Sequence, residues 1–335
     1  MPDTLDKLIS KGLVTRGSDP ELVVTYETTG IEPLDEVMGH GIPFNRFTHI
    51  HGEWSAGKTL LAMFIAAEFQ RRGHTVALVD AEQAFDPFWW GQVGVNIDDL
   101  IVSQPGGGEA AVDVACSLIG NVDLIILDSI AGLVPLAVQD KDANESVMGR
   151  RAQLVARLYE KALPLMRRSH TAFITINQVR VDFGPGNQDV LPGGVSQGFW
   201  SSVMLRLRRS EWIKNSAEQR VGFKMRVTCV KNKTGEAWKS VDIPINFDGS
   251  FDYLGILIQD ALARGIIAQG GAWYRLPADL AFTDETVSKD PKTGEWRVMG
   301  REKLTMLIDA HPEARAELEL RVYPPKDGRG FADGK

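Results

Sequence analysis

Cysteine is nearly absent from this sequence: Cys116 and Cys229 are the only two in 335 residues. Two thiols so far apart build no disulfide framework, and neither sits in a C-x-x-C pair that would signal a zinc site or a redox centre. Both read as buried small hydrophobes of a reducing compartment. Long apolar runs are also missing. No stretch approaches the ~18 residues that a membrane helix needs. The opening segment mixes Asp3, Asp6 and Lys7 where a secretion signal would stay apolar. These absences lead to the expectation of a cytoplasmic protein without a membrane partner. Aromatics reach only 8% and the net charge only −7, which excludes collagen-like and wholly disordered classes.

What the chain does have is unevenly placed charge. Between Arg206 and Lys239 ten Lys or Arg face three Glu, a local +7 inside a total of −7, so the remainder carries −14. A basic band in an acidic protein is the usual footprint of a polyanion partner. The plainer alternative is a pair of strands with one solvated face. Leu205-Arg206-Leu207-Arg208 and Lys224-Met225-Arg226-Val227 alternate as such strands do.

Apolar segments alternate with helical patterns along most of the chain. Strands are expected at 47–50, 76–79, 100–102, 124–127 and 172–176. Helices are expected at 58–71, 109–119 and 149–166, the last with Leu154, Leu158, Ala162 and Leu165 at helical spacing. Strand–helix–strand repetition calls for a mostly parallel sheet covered on both faces, an α/β class of fold. After Gly194 the strands 203–207, 224–230 and 238–245 follow one another directly and suggest an antiparallel extension. Helices return from Leu254. The chain therefore divides into a short N-terminal segment over 1–27, a core over 28–253, a smaller C-terminal α/β domain over 254–323 and a flexible tail over 324–335.

Gly52-Glu53-Trp54-Ser55-Ala56-Gly57-Lys58-Thr59 fits G-x-x-x-x-G-K-[ST] between an expected strand and an expected helix. Glycines let the backbone wrap a phosphate with its N–H groups, and the helix N-terminus adds partial positive charge. In such a loop Lys58 reaches the β- and γ-phosphates of a nucleotide, and Thr59 gives a hydroxyl to Mg²⁺. Leu124-Ile125-Ile126-Leu127-Asp128 is an apolar strand ending in a carboxylate, the arrangement that places Asp128 beside the same ion. Between the two, Asp80-Ala81-Glu82 lies where parallel strands end and ligands bind. Glu82 is the candidate base that polarises water; a helix N-cap network around Asp80 and Asp86 is the structural alternative.

These motifs, with others in the same order, resemble the bacterial RecA recombinase family. The likeness runs through Gly30 to Pro43, Gly52 to Thr59, Asp80-Ala81-Glu82 to Asp86-Pro87, and Ser103-Gln104-Pro105. It continues through Leu127-Asp128-Ser129, Ile176-Asn177-Gln178-Val179-Arg180, Gly193-Gly194, Val230-Lys231-Asn232-Lys233 and Gly271-Ala272-Trp273-Tyr274. The resemblance implies a RecA-type P-loop ATPase core and an ATP-dependent recombinase, active in recombination and DNA repair. Its partners would be single-stranded DNA, a homologous duplex, further copies of itself in a helical filament, and a LexA-type repressor. A ring-forming helicase on the same core and a regulatory DNA-binding paralogue are the competing expectations.

By the same resemblance, Lys58, Thr59 and Asp128 hold MgATP, Asp86 and Trp89 contact adenine, and Glu82 activates water. Gln178 senses the γ-phosphate and informs a DNA-binding loop over 179–194, which includes Arg180, Phe183, Gly184, Asn187, Gly193 and Gly194. That loop is glycine-rich and polar, so it is expected to order only with ligand. A second DNA-facing loop over 139–148 leads to Met148, Arg150 and Arg151. Lys231 and Lys233 reach a neighbour's ATP, with Phe199 near that interface. The short N-terminal segment, the Asp182 in the loop and a nearly neutral tail depart from the family's pattern, as a phage-encoded or accessory copy would.

Overall fold

A computed structural model describes residues 2–11, 13–19, 22–136, 147–181, 189–215, 217–283 and 287–324. Its centre is an eight-stranded sheet. The strands are β1 (Phe47–Gly52), β2 (Val76–Asp80), β3 (Ile101–Ser103), β4 (Leu124–Asp128), β5 (Ala172–Gln178), β6 (Val203–Lys214), β7 (Arg220–Asn232) and β8 (Ser240–Asn246). They lie in the order β8-β7-β6-β1-β5-β4-β2-β3. From β6 to β3 every neighbouring pair is parallel, while β6–β7 and β7–β8 are antiparallel.

The central strands are apolar throughout because both faces are covered. Val76, Leu78, Leu124 and Ile126 pack with the helix Lys58–Arg71 on one side. Ala77, Val79, Ile125 and Leu127 pack with the helices Gly108–Leu118 and Val147–Met166 on the other. Successive strand residues serve opposite faces, so one short run such as Leu124–Leu127 feeds both cores. A third core belongs to residues that follow. The helix Tyr253–Ala263, the four-stranded antiparallel sheet β9 (Ala268–Gly270), β10 (Trp273–Leu276), β11 (Ser288–Lys289) and β12 (Trp296–Met299), and two closing helices surround Leu257, Tyr274, Val298, Leu307 and Leu318.

The expected antiparallel extension is present in β6, β7 and β8, and it joins the parallel part of the sheet through β6, which lies parallel to β1 with Val203 opposite Thr48 and Leu207 opposite Gly52. Residues 193–202 run back from beside Ile130 and Val155 to the start of β1, where Ser202 N donates to Phe47 O, and direction in the sheet first reverses in the β6–β7 hairpin. In the helix Val147–Met166, Leu165 is 45% exposed and Met166 is buried instead. The inward row is Leu154, Leu158, Ala162 and Met166, a strict four-residue stagger along one helix face. Both cysteines are buried, and burial pushes the Cys229 thiol up to about 11. Among the described residues no helix is long and apolar enough to cross a membrane. The expected tail beyond Pro324 lies outside the described residues.

Candidate functional site

The loop from Gly52 to Gly57 joins the end of β1 to the helix Lys58–Arg71. Its path needs left-handed backbone at Ser55 (φ +54°) and Gly57 (φ +88°). Gly57 has a second reason to lack a side chain: a Cβ there would stand 2.8 Å from Met225 Sδ and 3.6 Å from Phe223 Cζ. Strand β7 thus presses directly on the loop. Gly52 is equally confined, with Leu207 O only 2.2 Å from where its Cβ would be. Trp54, by contrast, is 78% exposed.

Lys58 is buried and its Nζ donates to the carbonyl of Glu53 at 2.7 Å. Burial lowers its affinity for a proton, opposed by the carboxylates of Asp128, Glu82 and Glu53. A main-chain carbonyl is a neutral acceptor that phosphate oxygens can replace with gain. The Thr59 hydroxyl donates to Asp128 Oδ2 at 2.6 Å. Burial, reinforced by Glu82 and Asp80, pushes Asp128 up to about 6 against the opposing Thr59 hydrogen bond and the Lys58 charge. Among the described residues no three His, Cys, Asp or Glu side chains form a cation cage of their own. The Thr59–Asp128 pair fits Mg²⁺ of the kind that takes its other ligands from phosphate and water.

Glu82 stands in the turn after β2, next to the end of β4. Its Oε1 accepts from the Ser129 hydroxyl and, at 3.2 Å, from Gln178 Nε2. The main chain ties it down as well: Ala81 N and Glu82 N both donate to Asp128 O, at 2.7 and 3.3 Å. Gly132 passes so close that a Cβ would lie 2.7 Å from Ala81 O. Residues 96 positions apart in sequence meet here because β2, β4 and β5 are successive members of the sheet. Beyond Gln178, Val179 N donates to Gly52 O at 3.0 Å, so the segment leading to residue 182 is anchored to the first glycine of the loop.

Asp80 and Asp86 take the structural roles that the N-cap alternative anticipated. Asp80 accepts from Phe85 N and Gln104 Nε2, both at 2.9 Å. Asp86 caps the helix Pro87–Val93 by accepting from Phe88 N at 2.9 Å. That helix is pinned by Trp90, which is buried and edge-on to Phe85, and it delivers Trp89 to a cleft of about 480 Å³ beside Lys58 and Thr59. Phe223 lines the same cleft. Neither Phe223 nor the hydroxyl of Ser129 stood out in the sequence as a site residue. An aromatic residue alternating along a strand looks like core, and its place at the cleft follows only from the packing of β7 against the loop.

The remaining candidates lie apart from this cluster. Arg150 is exposed, and Arg151 Nε donates to Leu133 O at 3.2 Å. Residues 180–181 pair with 189–190. Phe183, Gly184, Asn187 and the side chains of Met148 and Arg180 lie outside the described residues, as does most of the loop 139–148. Gly193 and Gly194 have packing reasons for being glycine: Cβ atoms there would meet Val155 at 2.9 Å and Ala152 at 3.1 Å. Lys231 and Lys233 both donate to carbonyls at the end of the helix Ser196–Trp200, Lys231 to Gly198 O and Lys233 to Phe199 O at 3.0 Å. The Phe199 ring beside them is 68% exposed.

A sequence model of the RecA N-terminal domain matches residues 3–252. Protein RecA of Gluconobacter oxydans (strain 621H) is 35% identical over 324 residues, covering 95% of this chain and 89% of that protein. Protein RecA of Thermus thermophilus is 35% identical over 338 residues, 99% of this chain and 94% of its own length. The Heliobacterium modesticaldum protein of the same name is 33% identical over 327 residues, or 96% and 90%. A domain match over three quarters of the chain, and likeness of this depth carried nearly from end to end, make the chain a member of the bacterial RecA family.

Proposed function

We propose that this chain is a cytoplasmic, DNA-dependent ATPase that polymerises on single-stranded DNA and pairs it with a homologous duplex, exchanging strands. Residues 28–253 would form the ATPase core and 254–323 a smaller domain. The observation that carries the reading is the contact between Glu82 and Gln178, because it joins a candidate base to the strand-end residue immediately ahead of a candidate DNA-binding segment.

Lys58 would exchange the Glu53 carbonyl for phosphate oxygens, and Thr59 with Asp128 would hold Mg²⁺, which neutralises charge on the phosphates. Glu82 then accepts a proton from the attacking water; the hydrogen bonds from Ser129 and Gln178 fix which oxygen points where. An amide at 178 both donates and accepts, so it can leave the carboxylate for a γ-phosphate oxygen. Because Val179 N is bonded to Gly52 O, such a move draws on the segment beyond 179. Nucleotide would thereby change DNA affinity. Lys231 and Lys233 would meet the phosphates of a neighbouring subunit.

Electron microscopy of the protein with ATP and single-stranded DNA, alongside DNA-stimulated ATP hydrolysis, tests the proposal. Helical filaments with stimulated turnover are expected. Closed rings would favour a helicase-type assembly, and neither form with no turnover would leave a regulatory DNA-binding protein.

A further inference from the structure

Two amides with no exposure to solvent meet where the chain comes back from residues 189–190: Asn177, the last residue but one of β5, and Gln197, in the helix Ser196–Trp200. Their orientations follow from their neighbours. Asn177 Oδ1 accepts from Gln178 N at 2.9 Å, so Nδ2 is the end that donates, to Gln197 Oε1 at 2.7 Å and to Pro192 O at 2.8 Å. Gln197 Nε2 is thereby turned toward carbonyls, Pro192 O at 2.6 Å and Gly194 O at 3.2 Å. Left-handed backbone at Gly193 (φ +89°) lies between those two carbonyls, and a Cβ there would stand 3.1 Å from Gln197 Nε2. The outgoing end of the same segment is fastened separately, by Val179 N on Gly52 O at 3.0 Å. The two ends then pair with each other, Arg180 with Val190 and Val181 with Asp189. This short stem has one foot on the phosphate loop and the other on the residue ahead of Gln178.

We infer that Gln197 is a positioning residue, which with Asn177 fastens Pro192 and Gly194 to the end of β5 so that a displacement at Gln178 reaches both feet of the stem. This rests on the reading of Gln178 as the residue that answers to nucleotide and of the segment beyond it as DNA-binding. The pair is fully satisfied, and all its donors except the one between the two amides go to carbonyls of the returning segment. Buried networks of this kind hold one geometry, because a lost partner leaves polar atoms without water to replace it. An apolar side chain of the same length at 197 would fill the space equally well but would let the returning foot shift independently of Gln178.

Anisotropy of a labelled single-stranded oligonucleotide, titrated with the full chain in the presence and absence of a slowly hydrolysed ATP analogue with Mg²⁺, measures the gain in DNA affinity that nucleotide brings. Gln197→Met, which keeps length and volume without the hydrogen bonds, is expected to cut that gain about tenfold, while calorimetry without DNA finds analogue affinity within twofold of wild type. An unchanged gain would overturn the inference, even if DNA affinity fell equally with and without the analogue. A loss of analogue affinity as large as the loss of gain would also overturn it, as a defect of the nucleotide site. Wild-type protein whose DNA affinity ignores the analogue would defeat the underlying reading of Gln178, and the inference with it. Should Gln197→Met fail to fold, as judged by circular dichroism, Gln197→Glu replaces it: the carboxylate still accepts from Asn177 but has no proton to give. Its gain should be low at pH 8 and recover toward pH 6, as a carboxyl raised by burial regains a donor; a gain equal to wild type at pH 8 would overturn the assignment.

Discussion

Two charged regions of this molecule are built on opposite plans. Beyond the C-terminal ends of β1 and β4, Lys58 is buried and Asp128 partly so, each hydrogen-bonded to a group that a ligand can displace. Along β6 and β7 the charges are about half exposed and satisfied within the hairpin region. Lys224 meets Glu211 at 2.7 Å, Arg226 meets Asp242 at 2.6 Å, and Arg209 and Arg220 flank the ring of Trp212 at 4.3 and 4.4 Å. Glu211 is already counted in the local +7 and Asp242 lowers it only to +6, so the stretch keeps its net positive charge while these side chains are individually partnered. The charge around the phosphate loop is sparse and, Glu82 apart, drawn in from solvent; the charge on the long hairpin is plentiful and partnered.

The sharpest way to break this contrast is to give Lys231 and Lys233 the status of the first region. If they act on a neighbour's nucleotide, a cation supplied in trans contributes ~10³–10⁵-fold in rate. Lys58→Ala alone and Lys231→Ala/Lys233→Ala alone should each lack DNA-dependent ATP hydrolysis. A mixture should recover part of it, because each defective subunit lacks a different half of the shared site. Normal turnover in the double-lysine variant would return both residues to the hairpin class, as clasps on the 198 and 199 carbonyls.

Glu82→Gln comes next. The amide keeps the shape and can still meet Gln178, but cannot take a proton, so hydrolysis should slow by ~10²–10⁴-fold while nucleotide and DNA binding persist. A rate within tenfold of wild type would place the base elsewhere.

Stability against pH sharpens the contrast from a third position. Asp35 is buried at the start of the helix Glu32–Met38, accepting from the Thr28 hydroxyl and from Thr29 N at 3.0 Å. Burial pushes its carboxyl up to about 7 in spite of those bonds. The folded state therefore holds a proton that the unfolded chain releases, and stability should fall as pH rises from about 4 to about 7. His74 adds a change of the same sign. Its hydrogen bond to the buried Glu27, at 2.6 Å, raises its proton affinity, so its contribution is complete below the usual histidine range and is lost as pH climbs through the raised value. Urea-unfolding midpoints should decline between pH 5 and pH 8, and Asp35→Asn should flatten that decline; a midpoint that rises over this range would contradict both assignments. The smallest effect belongs to the hairpin: Lys224→Ala should change unfolding free energy by less than about 1 kcal/mol. A larger loss would mean that the hairpin's ion pairs act as a network.

Local chemistry was legible in the sequence and long-range geometry was not. Gly52 to Thr59 and Leu124 to Asp128 announce themselves because a loop, a strand and a helix start are read from consecutive residues. Glu82 was found by its place at a strand end. Its contact with Gln178 required the strand order, which short apolar runs do not encode. How the antiparallel extension joins the parallel strands is not encoded either: a strand that follows a long crossover looks the same whether it arrives parallel or antiparallel. Phe223 was hidden by burial pattern, since a ring on the inner face of β7 and a ring at the mouth of a cleft have identical sequence signatures.

One carbonyl has a wider consequence. Asp128 O receives the amides of both Ala81 and Glu82, so the backbone that carries the proposed proton acceptor hangs on the residue that carries the strand-end carboxylate. The two groups cannot drift independently, and the orientational entropy of bringing them together is met when the sheet folds rather than at each turnover. If Glu82 and Gln178 act as proposed above, the side chain of Gln178 is the part of this cluster left to respond to occupancy of the cleft.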